Sequence, residues 1–182
     1  MKKIKIILLA VITVLVVTSA GLAYRLFTVR RNSPLSTVDT IISALEDKDF
    51  AEFDRVVAVE DFHDYISQNA AAQTLNENDN LSAEERESLN EFFGQAVVGQ
   101  NTEKLTTNLE NYFAGQSSEN TLSEPLKFLT VNGGSNRAAR TNGENAIVTY
   151  TPPANIQDSE RDYYFRKNSA GEWELYAYVK GN

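Results

Sequence analysis

The sequence predicts an α+β domain that follows an N-terminal transmembrane helix. Three observations lead to this prediction: an uncharged apolar run over residues 6–24, apolar residues at helical spacing through residues 36–115, and short strand-like segments separated by Asn and Gly after residue 125. Helical spacing followed by extended segments is typical of α+β domains. We expect about four or five helices packed on a C-terminal antiparallel sheet of four to five strands.

The N-terminal region divides into a short basic tail (residues 1–5), the apolar run (6–24) and a basic linker (25–35). A helix over the apolar run would rise about 28 Å, which is close to the roughly 30 Å hydrocarbon core of a bilayer. This length favours an uncleaved signal-anchor. A cleaved secretory signal is the alternative, because small residues such as Gly21 and Ala23 suit a cleavage site.

The orientation of the apolar run cannot be taken from charge alone, because three Lys precede it and three Arg follow it. The very short tail favours a cytoplasmic N-terminus. The predicted location is therefore the bacterial cell membrane, with a single pass and an extracytoplasmic C-terminal domain. Under the alternative, the domain is secreted after cleavage.

Residues 36–182 are predicted to form a single acidic domain. All 25 acidic residues but only 11 of the 17 basic ones follow residue 33, so this part has a net charge of −14. Nucleic acid is excluded as a partner because phosphate binding needs a basic face. The absence of Cys excludes disulfides, thiolate zinc sites and a cysteine nucleophile.

The helical part is predicted over residues 36–115. Ser36 is a candidate N-cap for a first helix and Asp49 for a second, and the next apolar group surrounds Phe62. Residues 82–85 have the pattern of a capping box that opens a further helix ending near Gly99. A last helix is predicted to close at Gly115.

The sheet part is predicted over residues 125–180. Strands are expected at residues 126–131, 146–150, 163–165 and 173–179, with turns at residues 142–143 and 168–171. Strict alternation in the last strand would place Trp173, Leu175, Ala177 and Val179 on the core face. Tyr176 and Tyr178 would then lie together on the opposite face.

Three short sequence motifs resemble those of a known group of proteins. They are Ser33-Pro34, the acidic helix end at residues 44–50, and the Gly-Glu-Trp-Glu-Leu sequence at residues 171–175. The chain resembles small exported bacterial domains of unknown function with a cystatin-like or nuclear-transport-factor-2-like fold. The resemblance implies a cell-envelope location. It concerns packing positions, so it implies no functional residues. The Asn-rich insert and the long helical part between Ser67 and Gly115 depart from the compact form of these domains.

No catalytic, cofactor-binding or metal-binding residue is predicted, and the chain is not expected to be an enzyme. His63 is the only histidine and is flanked by Asp61 and Asp64. Neighbours at these spacings do not share one helical face, which favours a partly exposed surface histidine over a general base. The carboxylates at residues 46–54 lack the spacing of a calcium loop.

The predicted partner or ligand face consists of Tyr164, Tyr176 and Tyr178. Aromatic side chains on a sheet face are typical of protein interfaces. The predicted function is a membrane-anchored cell-envelope protein with a non-enzymatic binding or assembly role and a protein partner. The alternative is a small-molecule or lipid-binding domain that uses a cavity between the helices and the sheet.

Overall fold

The computed structural model describes residues 32–76, 82–132, 136–152 and 159–181. Within these ranges the chain forms an α+β domain, as predicted. The helices are α1 (Pro34–Asp47), α2 (Phe50–Val56), α3 (Val59–Asn76), α4 (Ala83–Phe113) and α5 (Glu124–Asn132), with a short 3-10 turn (Glu119–Thr121) before α5. The strands are β1 (Arg137–Asn142), β2 (Asn145–Tyr150), β3 (Arg161–Lys167) and β4 (Trp173–Lys180).

The predicted fold class is corrected in its transmembrane component. Among the residues that the structure describes, no helix is both long enough and apolar enough to cross a bilayer. The apolar run at residues 6–24, on which that prediction was based, lies outside the described ranges.

The first two helices begin at side-chain caps. α1 begins three residues earlier than predicted, because Ser33 is its N-cap and Ser36 is the third residue of a capping box. Pro34 occupies the first helical position, where its missing N–H leaves no hydrogen bond unmade. The predicted cap of α2 is confirmed, since the Asp49 carboxylate accepts from the Glu52 N–H at 3.1 Å.

α4 is one continuous helix of 31 residues, so the prediction of two helices divided at Gly99 is wrong. Gly99 is exposed, and a Cβ added there would meet nothing within 4 Å. A single glycine costs a helix interior only about 1 kcal/mol, which the packing of α4 against α3 can offset. The helix begins at Ala83, next to the predicted cap, but the Glu85 side chain of the predicted capping box lies outside the described side chains.

The strand predicted at residues 126–131 is also wrong, because these residues belong to helix α5. Pro125 lies in the first turn of α5, where proline is well tolerated. Pro125, Leu126 and Leu129 are buried. This spacing of three to four residues, not an alternation of two, places the apolar side chains on one side of the segment.

The four strands form an antiparallel meander in the order β1-β2-β3-β4. A turn joins β1 and β2 one residue later than predicted, because Asn142 ends β1 and pairs with Asn145, while Gly143 has a positive φ of 63°. The predicted turn between β3 and β4 is confirmed. There the Asn168 side chain accepts from the Ala170 and Glu172 N–H groups, each at 3.0 Å.

A bulge in β4 changes which side chains face the core. Tyr164 pairs with Ala177 and Phe165 pairs with Leu175, so Tyr176 is one residue more than β3 can match. An extra residue reverses the alternation beyond it. Tyr178 therefore lies opposite the buried Tyr163, and the prediction that Tyr176 and Tyr178 share a face is wrong.

The junction of α2 and α3 lies along the free edge of β4. Val57 forms an isolated parallel bridge with Leu175, and the Ala58 N–H donates to the Leu175 carbonyl at 2.9 Å. This contact covers part of an edge strand that would otherwise expose unpaired backbone groups. It also fixes the start of α3 next to the sheet, where the candidate site lies.

Candidate functional site

The structure separates the three tyrosines of the predicted partner face. Tyr178 is only 9% exposed, and its hydroxyl donates to the Glu124 carboxylate at 2.7 Å. Its ring centroid lies 5.0 Å from that of Tyr163. Burial raises the pKa of the Tyr178 hydroxyl, with the hydrogen bond to Glu124 contributing in the same direction. Tyr178 therefore joins the sheet to α5.

Tyr164 and Tyr176 remain half-buried at the other face of the sheet. The Arg166 guanidinium lies over the Tyr176 ring, 5.2 Å from its centroid. Burial raises the pKa of Tyr164, and nearby Asp162 and Tyr65 add to the shift. Two of the three predicted side chains are thus partly accessible, without forming an apolar patch with Tyr178.

We expect Tyr178→Phe to lower the free energy of unfolding by about 1–2 kcal/mol, because it removes a hydrogen bond to a carboxylate beside a buried arginine. Tyr176→Phe is the matched control in the same strand and should change it by less than about 0.5 kcal/mol. Urea denaturation followed by circular dichroism measures both. Equal losses would contradict the assignment of Tyr178 to the core face.

A buried arginine explains why Glu124 and Tyr178 come together. Arg161 is only 5% exposed, and its guanidinium donates to the second Glu124 oxygen at 3.1 Å. The same guanidinium lies 3.8 Å from the centroid of the Phe128 ring. These contacts hold α5 against the sheet, so we assign this cluster to folding.

His63 is buried, so the prediction of an exposed histidine is wrong. The side chain is 1% exposed, and its Nδ1 lies 3.0 Å from the Thr106 hydroxyl of α4. Burial lowers the pKa of His63 to about 4, and nearby Asp64 opposes this shift only in part. The imidazole is neutral near pH 7 and is closed off from solvent between α3 and α4.

An open groove of about 800 Å³ lies between α2, the start of α3, the C-terminal half of α4 and one residue of β4. Among the residues that the structure describes, its lining combines apolar and threonine side chains with six carboxylates and includes no Lys, Arg or His. The acidic lining residues are Asp54, Glu60, Asp61, Glu103, Glu110 and Glu174. We call this feature the acidic groove.

Arg166 neutralises two of these carboxylates. Its guanidinium forms ion pairs with Asp61 and, at 2.7 Å, with Glu174. The other four carboxylates are exposed, and none forms an ion pair within the part of the chain that the structure describes. The acidic groove therefore presents several negative charges to solvent.

The carboxylates are spread along the acidic groove. Among the described residues, no three His, Asp or Glu side chains are placed to hold a metal ion. A hard cation such as Ca²⁺ needs six to eight converging oxygen ligands. Separated charges in an open groove instead match an extended cationic chain. Phe50 adds an accessible aromatic ring to the lining, with 42% of its surface exposed.

Part of the acidic groove could have been found in the sequence. Glu103, Thr106, Thr107 and Glu110 recur at i, i+3, i+4 and i+7, which places them on one face of α4. No functional prediction was made for this polar stripe. Its proximity to Asp54 and Glu174 follows from tertiary packing and has no local signal.

Comparison of the chain with protein-family models, with curated protein sequences and with solved structures returned no significant match.

Proposed function

We propose that this protein is a non-enzymatic binding module of the bacterial cell envelope, and that its acidic groove binds an extended cationic segment of a protein partner. The observation that carries the proposal is the set of four exposed carboxylates without ion-pair partners among the described residues, gathered in one open groove. The envelope location is proposed from the basic start and apolar run of residues 1–24, which are typical of exported proteins.

The charges of the acidic groove support moderate affinity and moderate selectivity for a cationic segment. An exposed ion pair contributes about 0.5 kcal/mol, so four of them contribute about 2 kcal/mol, or roughly a 30-fold difference in affinity. Such binding weakens as salt screens the charges. Phe50 offers an aromatic contact at the same place, which favours a segment that alternates basic and apolar residues.

A small-molecule or lipid-binding role receives less support from the same geometry. Ligand cavities of that kind are enclosed and mostly apolar, with few polar groups. The acidic groove is open, and nearly half of the described residues that line it are carboxylates, which repel anionic lipid headgroups. The resemblance to cystatin-like or nuclear-transport-factor-2-like exported domains stays a proposal that rests on the sequence phrases alone.

Neutralising the four carboxylates tests the proposal. The groove variant combines Asp54→Asn, Glu60→Gln, Glu103→Gln and Glu110→Gln. Its matched control neutralises four exposed carboxylates outside the acidic groove, so the net charge of the protein changes equally. This control combines Glu46→Gln, Asp47→Asn, Glu119→Gln and Glu144→Gln. The probe is a fluorescent heptapeptide of alternating lysine and leucine, and its binding is measured by anisotropy at about 0.05 M salt.

We expect the groove variant to bind the peptide roughly 30-fold more weakly than the unchanged chain, and the control variant to bind within about threefold of it. Equal affinity of the two variants would show that the acidic groove is not the binding site. An alternating glutamate and leucine peptide that bound as tightly would contradict the charge-based recognition itself.

A further inference from the structure

One cation of the chain itself is bound to the acidic groove. Arg166 in β3 pairs across the sheet with the groove residue Glu174 in β4. Its Nε donates to the Glu174 carboxylate at 2.7 Å, and its Nη2 donates to the carboxylate of Asp61 near the start of α3. The guanidinium suits this bridge because its rigid fork of N–H groups can serve two acceptors at once. Two groove carboxylates from different elements therefore share one positive charge.

Arg166 divides the groove carboxylates into two sets. The paired carboxylates are Asp61 and Glu174. The other four, which we call the open carboxylates, form no ion pair within the described part of the chain, and they are Asp54, Glu60, Glu103 and Glu110. The Arg166 side chain is 41% exposed, so its charge also opposes an approaching cation. The acidic groove is therefore less negative at the paired carboxylates than at the open ones.

We propose that Arg166 is a specificity-determining residue of the acidic groove, which competes with the cations of a partner segment for Asp61 and Glu174. The inference rests on the proposed function of the acidic groove. With Arg166 in place, a bound segment finds ion-pair partners only at the open carboxylates, so its cationic side chains are directed toward α2, α4 and Glu60. The contact of Arg166 with the Tyr176 ring, 5.2 Å from the centroid, helps to hold the guanidinium in this position.

Removal of the guanidinium tests the inference. The probe is a fluorescent heptapeptide of six lysines around a central leucine, which carries one charge for each of the six groove carboxylates. Arg166→Gln frees two carboxylates, so the full-length variant should bind this probe about fivefold more tightly than the unchanged chain. Anisotropy measures the affinity at about 0.05 M salt, and the gain should disappear at about 1 M salt. A residue that only supported the fold would give no gain in affinity.

Arg55→Gln is the matched control. Arg55 also bridges two carboxylates, Glu52 at 2.6 Å and Glu172 at 2.9 Å, and its side chain is 43% exposed. None of these three residues lines the acidic groove. The control therefore changes the net charge of the protein equally and frees two carboxylates elsewhere. It should bind the probe within about twofold of the unchanged chain.

Two further variants test how Arg166 acts. Adding Asp61→Asn and Glu174→Gln to Arg166→Gln should remove the gain in affinity, because no carboxylate is freed. Arg166→Lys keeps the charge but replaces the planar fork by a single ammonium group. Its affinity for the probe should lie between those of the unchanged chain and Arg166→Gln. Because the lysine keeps a cation beside the paired carboxylates, this comparison also serves if the glutamine weakens the fold.

The outcomes separate this inference from the proposed function. If the unchanged chain binds the probe, and Arg166→Gln and Arg166→Lys bind it equally or more weakly, the inference is overturned and the proposed function stands. An equal gain in Arg55→Gln would assign the effect to net charge and would also overturn the inference. A gain that persisted after neutralisation of Asp61 and Glu174 would do the same. Absence of probe binding by the unchanged chain and by every variant would overturn both.

Discussion

Replacing Phe53 by alanine is expected to lower the free energy of unfolding by about 3–5 kcal/mol, the usual cost of truncating a buried phenylalanine. Phe53 has no exposed surface, and its ring centroid lies 5.1 Å from that of Phe113 at the end of α4. α2 is a short helix held between other elements, so its neighbours can fill the vacated volume only in part. The residual cavity adds to the lost transfer free energy.

Phe50→Ala is the matched control, because Phe50 lies on the same helix and contacts the same Phe113 ring at 5.3 Å. Phe50 is 42% exposed, so its truncation should cost less than about 1 kcal/mol. Urea denaturation measured for both variants and the unchanged chain gives the comparison. A similar loss in the two variants would contradict the packing of α2 described above.

The same pair of variants separates stability from binding. α2 and α4 both line the acidic groove, and Phe53 is buried among the residues that join them. Phe53→Ala should therefore weaken peptide binding by disturbing the groove as well as the fold. Phe50→Ala should weaken peptide binding while leaving stability nearly unchanged, since Phe50 itself lines the groove.

Elements with a strong local signal could be predicted from the sequence. The Asp49 cap and the turns at Gly143 and Gly171 depend on side-chain caps or positive φ, which only a few residue types provide. The prediction of a strand at residues 126–131 is wrong because a short apolar run fits a strand and a helix equally well. Its packing against the sheet decides in favour of the helix α5.

The candidate site was harder to predict because its parts are distant in the chain. A bulge at Tyr176 reverses the strand alternation, and nothing in the local sequence of β4 indicates where the extra residue lies. The carboxylates of the acidic groove come from α2, α3, α4 and β4, so only their tertiary arrangement brings them together. His63 is buried for the same reason, because α4 supplies its Thr106 neighbour from 43 residues away.

Acidification is expected to destabilise the domain through His63, by about 2 kcal/mol between pH 7 and pH 5. The ordinary pKa of 6.5 in the unfolded chain falls to about 4 in the folded protein, because burial disfavours the charged imidazolium. The unfolded state therefore binds a proton more readily than the folded state. The stabilisation is complete above pH 6.5 and is lost progressively as the pH falls toward 4.

His63→Gln isolates this contribution, because glutamine does not titrate and still offers polar atoms to Thr106. The unchanged chain and the His63→Gln variant have the same carboxylates, so the loss of stability between pH 7 and pH 5 should be about 2 kcal/mol smaller in the variant.

Proton NMR gives an independent check. The chain has a single histidine, so its ring resonance is unambiguous and should titrate only near pH 4. Titration near pH 6.5 would contradict the buried position.

The His63 contact also links acid stability to the acidic groove. Thr106 both contacts His63 and lines the groove, one turn from the carboxylates Glu103 and Glu110. Protonation of His63 would place a charge between α3 and α4 and strain the packing that positions those carboxylates. Peptide affinity should therefore fall between pH 5 and pH 4, where the folded imidazole gains its proton, by more in the unchanged chain than in His63→Gln. Parallel pH profiles would show that His63 supports the fold without affecting the groove.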